Sequence, residues 1–186
     1  MSDTLSATAA PGATAPAAGD TVAILNTAHG RIVVKFFPDH APKHAAAFQK
    51  LVTEGFYDGI RFHRVIPGFM IQGGCPNSRD ADNRSAHGTG GPGYKLAQEF
   101  NEIKHTPGIL SAARTSDPNS AGSQFFLMHN SYPSLDGQYS VFGQVIEGMD
   151  VVEAIVHLDR DHRDNPKSHE ASQISSATLA TWPLES

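Results

Sequence analysis

His40 and His44 stand four residues apart, a spacing that can place two imidazoles on one helix face as half of a zinc site. No third ligand accompanies them, and Pro42 marks a helix start with His40 ahead of it, so the pair reads as solvated histidines. Cys75 has the thiol of a nucleophile. Its setting, Gly73-Gly74-Cys75-Pro76, is turn chemistry without an evident base, which favours a structural thiol. Asp159, Asp161 and Asp164 interleave with Arg160 and Arg163, but their spacing does not match a calcium loop and reads as a solvated charged segment. The chain has no GxxxxGK[ST] phosphate loop, no GxSxG elbow, no HExxH pair and no CxxC pair. An enzyme with this sequence is therefore expected to work without covalent attack, metal or cofactor.

The elements that must position any site can be read in order. Val22–Ala28 and Arg31–Phe37 flank His29-Gly30 and read as two strands about a turn. In the second, Ile32, Val34 and Phe36 share one face, with Arg31, Val33 and Lys35 on the other. A helix opens near Pro42, carries Ala45, Phe48 and Val52 as an apolar stripe beside Leu51, and stops near Gly55. From Arg61 to Phe142 short apolar runs are broken by glycine and proline: Arg61–Ile66, Phe69–Gln72, Gly108–Ala113, Gln124–Met128 and Ser140–Val145. Such spacing suggests a sandwich or barrel. The polar, glycine-rich stretch Asn77–Tyr94 reads as a surface loop. A second helix follows Gly148, with Val151, Ile155 and Leu158 on one face and Asp150 in its first turn. A charged loop, Asp159–Glu170, leads to a closing strand at Ile174–Trp182. The sum is a mostly antiparallel β protein whose two helices plug the ends of a barrel.

Composition bounds the function. The 186 residues carry a net charge of −5, which argues against a nucleic-acid partner. No apolar stretch approaches the roughly 20 residues of a membrane-spanning helix. A single cysteine makes no internal disulfide and suits a reducing compartment. Of residues 1–20, sixteen are Ala, Ser, Thr, Pro or Gly, so a disordered tail is expected there, followed by one domain over 21–186. That tail has no Lys or Arg to begin a signal peptide, which points to the cytoplasm.

One stretch stands apart: Phe62-His63-Arg64-Val65-Ile66-Pro67-Gly68-Phe69-Met70-Ile71-Gln72-Gly73-Gly74. It closely resembles the signature of the cyclophilins, barrel-shaped peptidyl-prolyl cis-trans isomerases. Gly122-Ser123-Gln124-Phe125-Phe126, and Leu135-Asp136-Gly137 followed by Val141-Phe142-Gly143, agree in the same order, and the correspondence runs from about Val22 to the final strand. The resemblance implies a closed eight-stranded antiparallel barrel capped by two helices. It also implies an activity that accelerates rotation about Xaa-Pro bonds and assists protein folding, with proline-containing peptides and unfolded chains as partners and a monomeric state.

The residues are consistent with that chemistry. Peptide-bond rotation has a barrier of about 18–20 kcal/mol because the amide is conjugated. No bond breaks, so a catalyst need only bind the twisted amide better than either planar isomer. On twisting, the proline nitrogen regains a lone pair, and the rigid cationic fork of Arg64 is the natural group to stabilise it. By resemblance, Arg64, Phe69 and Gln72 are catalytic. Met70, Phe126 and Leu135 line the proline socket, Gln124 contacts the peptide, and Ala113 and Arg114 meet the substrate backbone. His63 is expected to point away across the strand to a structural hydrogen bond, and Phe62, Phe125, Met128 and Phe142 to be core.

Two positions depart from the family pattern. Tyr139 stands where many members carry His, and its flat face should preserve the socket wall. Members that bind cyclosporin tightly carry Trp immediately before the Leu of the Leu-Asp-Gly block; here it is Ser134, and Trp182 in the terminal strand is no substitute, so weak cyclosporin binding is expected. The competing function is a module that grips Pro-containing segments without turnover.

Overall fold

The computed structural model describes residues 9–185. Eight strands form one antiparallel sheet: β1 (Thr21–Thr27), β2 (Gly30–Phe36), β3 (Arg64–Ile66), β4 (Met70–Gly73), β5 (Ile109–Ala112), β6 (Phe125–Met128), β7 (Val141–Glu147) and β8 (Ile174–Thr181). Their order across the sheet is β3-β4-β6-β5-β7-β2-β1-β8. The expected barrel is present but open, because its two edges, β3 and β8, do not pair with each other. The seam is bridged instead by the segment before β3: the Phe62 amide donates to Ser172 (2.8 Å) and the Ile174 amide to Ile60 (2.7 Å). The outer edge of three-residue β3 is covered where the Val65 amide donates to the Asp164 carbonyl at 2.8 Å, which blunts an otherwise sticky edge.

Helix α1 (Pro42–Thr53) starts at Pro42 as the sequence indicates, and its stripe of Ala45, Phe48, Leu51 and Val52 is buried. Gly55 follows it with φ of 73°, the left-handed turn that favours glycine. Phe48 sits at the centre of an aromatic cluster, its ring 4.8 Å from Tyr57, 5.3 Å from Phe125 and 5.6 Å from Phe142. Helix α2 (Met149–Val156) buries Val151, Val152, Ile155 and Val156 against the same interior. A four-residue helix, α3 (His169–Ser172), which the sequence did not announce, ends the charged loop and carries its N-cap on the Ser168 hydroxyl. Too short for an apolar stripe, it has no periodic signal.

Strand alternation sorts side chains into two populations. Val65, Ile71, Leu110, Ala112, Phe125 and Leu127 face the barrel interior. Their neighbours Met70, Ile109, Phe126 and Met128 form a separate apolar cluster, which Phe69, Leu135 and Tyr139 join. The expected core assignment therefore holds for Phe62, Phe125 and Phe142, and for Met128, which is fully buried in this second cluster.

Residues 1–8 of the expected tail lie outside the described residues. Residues 9–20 run against the barrel: Ala10 and Ala13 are buried, and the Ala10 amide donates to Val145 at 3.3 Å. Composition misses this because the fit needs no bulky side chain. Ala10 sits over Gly108, where an added Cβ would come within 2.1 Å of its own. Cys75 is a buried thiol, accepting from the Gly90 amide at 3.3 Å, as expected of a structural group.

Candidate active site

Strand register, more than sequence proximity, assembles the site. Arg64 of β3 lies directly opposite Gln72 of β4, Gln72 opposite Phe126 of β6, and Phe126 opposite Ser111 of β5. Residues opposite each other stand about 4.5–5.5 Å apart at Cβ, so Arg64, Gln72 and Phe126 form one row across three strands. Met70, two residues from Gln72, falls on the same face. The tight connection between β3 and β4 requires glycine at its middle: Gly68 has φ of 78°, and its amide donates to His129 Nδ1 at 2.8 Å. This turn presents Phe69 beside the row, where its ring stacks on Tyr132 at 4.5 Å.

Above the row lies a cavity of about 330 Å³. Nine of the anticipated residues line it: Arg64, Phe69, Met70, Gln72, Ala113, Arg114, Phe126, Leu135 and Tyr139. Its floor is Phe126, met edge-on by Tyr139 at 5.6 Å and backed by the parallel ring of His105 at 5.9 Å. Arg114 covers Tyr139, 4.6 Å from the ring centre, and its Nε and Nη2 both donate to the Gln138 carbonyl. Tyrosine at position 139 therefore keeps the wall intact, as its shape and polarity suggest.

Gln124 is the exception. It borders the adjoining groove, and its Nε2 donates to the carbonyls of Gly88 and Gly90, each at 2.9 Å. Its Oε1 accepts from Gln72 Nε2 at 3.1 Å, and Gln72 Oε1 accepts from Arg64 Nη1 at 3.4 Å. A relay thus runs from the 88–90 loop through two amides to the guanidinium. Gln124 orients Gln72 from the adjoining groove. Arg64, in contrast, is exposed and has no other side-chain tie among the described residues, so most of its five N–H donors are uncommitted there.

His63 also departs from expectation: it lines the cavity, only 6% exposed, with no hydrogen-bond partner for Nδ1 among the described residues. Burial, helped by His87, Arg64 and Arg61 nearby, pushes its imidazole down to about 4, so it is neutral at physiological pH. Alternation alone would turn it from Arg64, but it sits ahead of β3, where the strand rule does not apply. Sequence reasoning also missed His105, Arg84, His87, Arg163 and Asn165. His105 is held by Asp136 Oδ1 at 3.1 Å and Ser111 Oγ at 2.9 Å. The Leu135-Asp136-Gly137 block was its available signal, since a buried imidazole needs such a partner. Arg84, His87, Arg163 and Asn165 come from the two polar loops, where no periodicity marks a residue as inward-facing.

His40 and His44 do not join one site: His44 Nδ1 bonds Glu99 at 2.6 Å and His40 Nε2 bonds Glu102 at 3.0 Å. No cluster of potential metal ligands is found among the described residues. Trp182 packs, partly buried, against a separate core cluster of Val22, Val33 and Ile146 and does not line the cavity, and Ser134 is exposed outside the cavity lining.

Comparison with known proteins settles the family. The model for cyclophilin type peptidyl-prolyl cis-trans isomerase/CLD matches residues 22–179. The chain belongs to the cyclophilin-type isomerases. A peptidyl-prolyl cis-trans isomerase of Synechococcus elongatus is 48% identical over 142 residues, covering 75% of this chain and 92% of the relative. Peptidyl-prolyl cis-trans isomerase B of Bacillus subtilis is 46% identical over 122 residues, covering 64% and 79%. Among solved structures, a Cryptosporidium parvum cyclophilin crystallised in the presence of the dipeptide Ala-Pro superposes with a TM-score of 0.75 at 30% identity, covering 86% of this chain and 99% of that one. This cyclophilin is thus a peptidyl-prolyl cis-trans isomerase, and a binding module without turnover is not favoured. Among the described residues no helix is long and apolar enough to cross a membrane.

Proposed function

We propose that the cavity over the Arg64–Gln72–Phe126 row is where a prolyl bond turns, in peptides and in folding proteins. The prolyl ring rests on Phe126, between Met70, Leu135 and Phe69, with Tyr139 as the far wall. Ala113 and Arg114 border the peptide backbone, and the planar amide lies toward Arg64. As the bond twists, conjugation is lost and the nitrogen lone pair becomes an acceptor for a guanidinium N–H. Because the planar amide nitrogen offers no such acceptor, this contact is made in the transition state and lowers the barrier. Gln72, braced by Gln124, keeps the guanidinium beside the socket. Cofactor and metal have no part, since nothing is oxidised, reduced or cleaved.

The observation that carries this reading is an uncommitted guanidinium, fixed by register at the rim of an apolar hollow. The same chemistry fits a catalyst of slow folding steps, because uncatalysed prolyl exchange takes about 10–100 s. A lone buried thiol is consistent with a cytoplasmic setting. Exchange spectroscopy on an Xaa-Pro peptide tests the site. Line broadening of cis and trans resonances at substoichiometric protein, lost when a prolyl-ring mimic occupies the cavity, is the expected result. Exchange that continues with Phe126→Trp filling the socket would place the chemistry elsewhere.

A further inference from the structure

The protein is acidic overall, with a net charge of −5, yet the described residues lining the cavity include four arginines and no carboxylate. Two of those arginines are already engaged. Arg114 is bonded to the Gln138 and Thr115 carbonyls, and Arg84 pairs with Asp161 at 2.9 Å. Arg64 has its proposed role with the prolyl nitrogen. The fourth, Arg163, comes from the charged loop at the opposite end of the chain from the signature stretch.

That loop contains enough acid to neutralise Arg163, but its own contacts withhold it. Asp159 pairs with Lys167 at 3.6 Å and Asp164 with Arg160 at 3.2 Å. Asp161 accepts from Arg84 and from the backbone amides of Arg163 (2.8 Å) and Asn165 (3.1 Å). Against the burial that would raise it, these bonds hold its carboxyl at about 2, so it is ionised and fully occupied. The Arg163 side chain is left with no partner among the described residues, exposed, and facing the cavity. The loop beneath it is anchored: buried Arg61 donates to the carbonyls of Pro166 and Ser168, and Arg84 to those of Asn165 and Pro166. This anchoring positions the loop backbone from which the Arg163 side chain extends.

Two polar atoms of neighbouring lining residues, His63 Nδ1 and Asn165 Oδ1, have no hydrogen-bond partner among the described residues but are buried away from the cavity, so Arg163 is the polar group here that a ligand can reach.

We propose that Arg163 forms a subsite that favours substrates carrying an acidic side chain close to the proline. Arg163 pairs with the Glu or Asp carboxylate of the bound peptide. This rests on the cavity being the prolyl site, and the experiment keeps the two apart.

Peptides with blocked ends, so that only one side chain is charged, are compared by exchange spectroscopy. Glu, Gln or Lys is placed in turn at each position flanking the Xaa-Pro bond. Turnover of the Gln peptide reports whether the cavity is the prolyl site at all. The Glu/Gln ratio of kcat/KM reports the subsite. The expected ratio is roughly fivefold at one position, the factor of an ion pair at the strong end of the exposed range, and it falls toward one near 1 M salt, where the screening length is about 3 Å. In Arg163→Gln the ratio falls to one, and in Arg163→Glu preference passes to the Lys peptide. Because Arg163 is exposed, both variants fold. A wild-type ratio near one at every position, or a ratio that survives Arg163→Gln, overturns the proposal while leaving the prolyl site standing.

Discussion

Replacing Arg64 by alanine separates catalysis from stability more cleanly than any other change in this molecule. The side chain is exposed and, among the described residues, makes no ion pair and reaches only Gln72 Oε1, at a long 3.4 Å. An exposed substitution of this kind moves stability by within about 0.5 kcal/mol, or roughly 1–2 °C of Tm for a chain of this size. The catalytic loss is much larger. A hydrogen bond from a charged donor contributes about 1.5–3 kcal/mol, which converts to a fall of roughly 10- to 150-fold in kcat/KM. The planar substrate amide has no nitrogen lone pair to accept that bond, so the loss must appear in kcat with KM little changed. Arg64→Lys keeps the charge without the rigid fork and should recover only part of the rate. Exchange spectroscopy gives both parameters, with thermal unfolding as the control for folding. If Arg64→Ala turns over within about twofold of the parent, or loses affinity alone with kcat intact, transition-state donation by this guanidinium is wrong.

Three further outcomes follow from the same geometry. His63 is held at about 4 while an unfolded histidine titrates near 6.5, so the unfolded chain takes up the proton first and stability falls as pH drops through that window, by about 1.4 kcal/mol per pH unit for this group. Urea unfolding at neutral pH and near pH 4.5 should show a smaller difference in His63→Gln than in the parent. Some slope persists, because burial also lowers His87, His105 and His169, but identical pH dependence in the two proteins would count against a buried neutral His63. Gly74 has φ of 92°, and an added Cβ would meet the Ser123 carbonyl oxygen at 2.2 Å, so Gly74→Ala should cost at least the roughly 1–3 kcal/mol of such backbone strain and lower Tm by several degrees; an unchanged Tm would show that the turn relaxes freely. Ser134 is exposed beside the cavity-lining Leu135, so the parent is expected to bind cyclosporin weakly and Ser134→Trp at least about tenfold more tightly in a calorimetric titration, whereas nanomolar binding by the parent would refute the reading.

Much of this protein is written locally in its sequence. The stripe Ala45-Phe48-Val52 after Pro42 fixes α1, and Gly55 ends it, because capping and periodicity act over single turns. Period-two alternation makes Phe125 and Phe126 face opposite ways, and three signature blocks name the family. Alternation cannot say which of the two phenylalanines is core and which is pocket floor. That depends on which sheet face the helices cover, a decision made by packing across the whole chain. Nor can local rules pair Arg64 with Gln72 and Gln72 with Phe126, because register is a property of neighbouring strands. The open seam, the diversion of Gln124 to brace Gln72, and the burial of Ala10 over Gly108 are also products of long-range contact. Arg163 is the sharpest case. In the sequence it is one cation among several acids, and only the folded loop, by giving each aspartate another partner, leaves it free to face the cavity. Residue types and spacings dictate the elements; which charges stay unpaired emerges only once distant segments compete for the same partners.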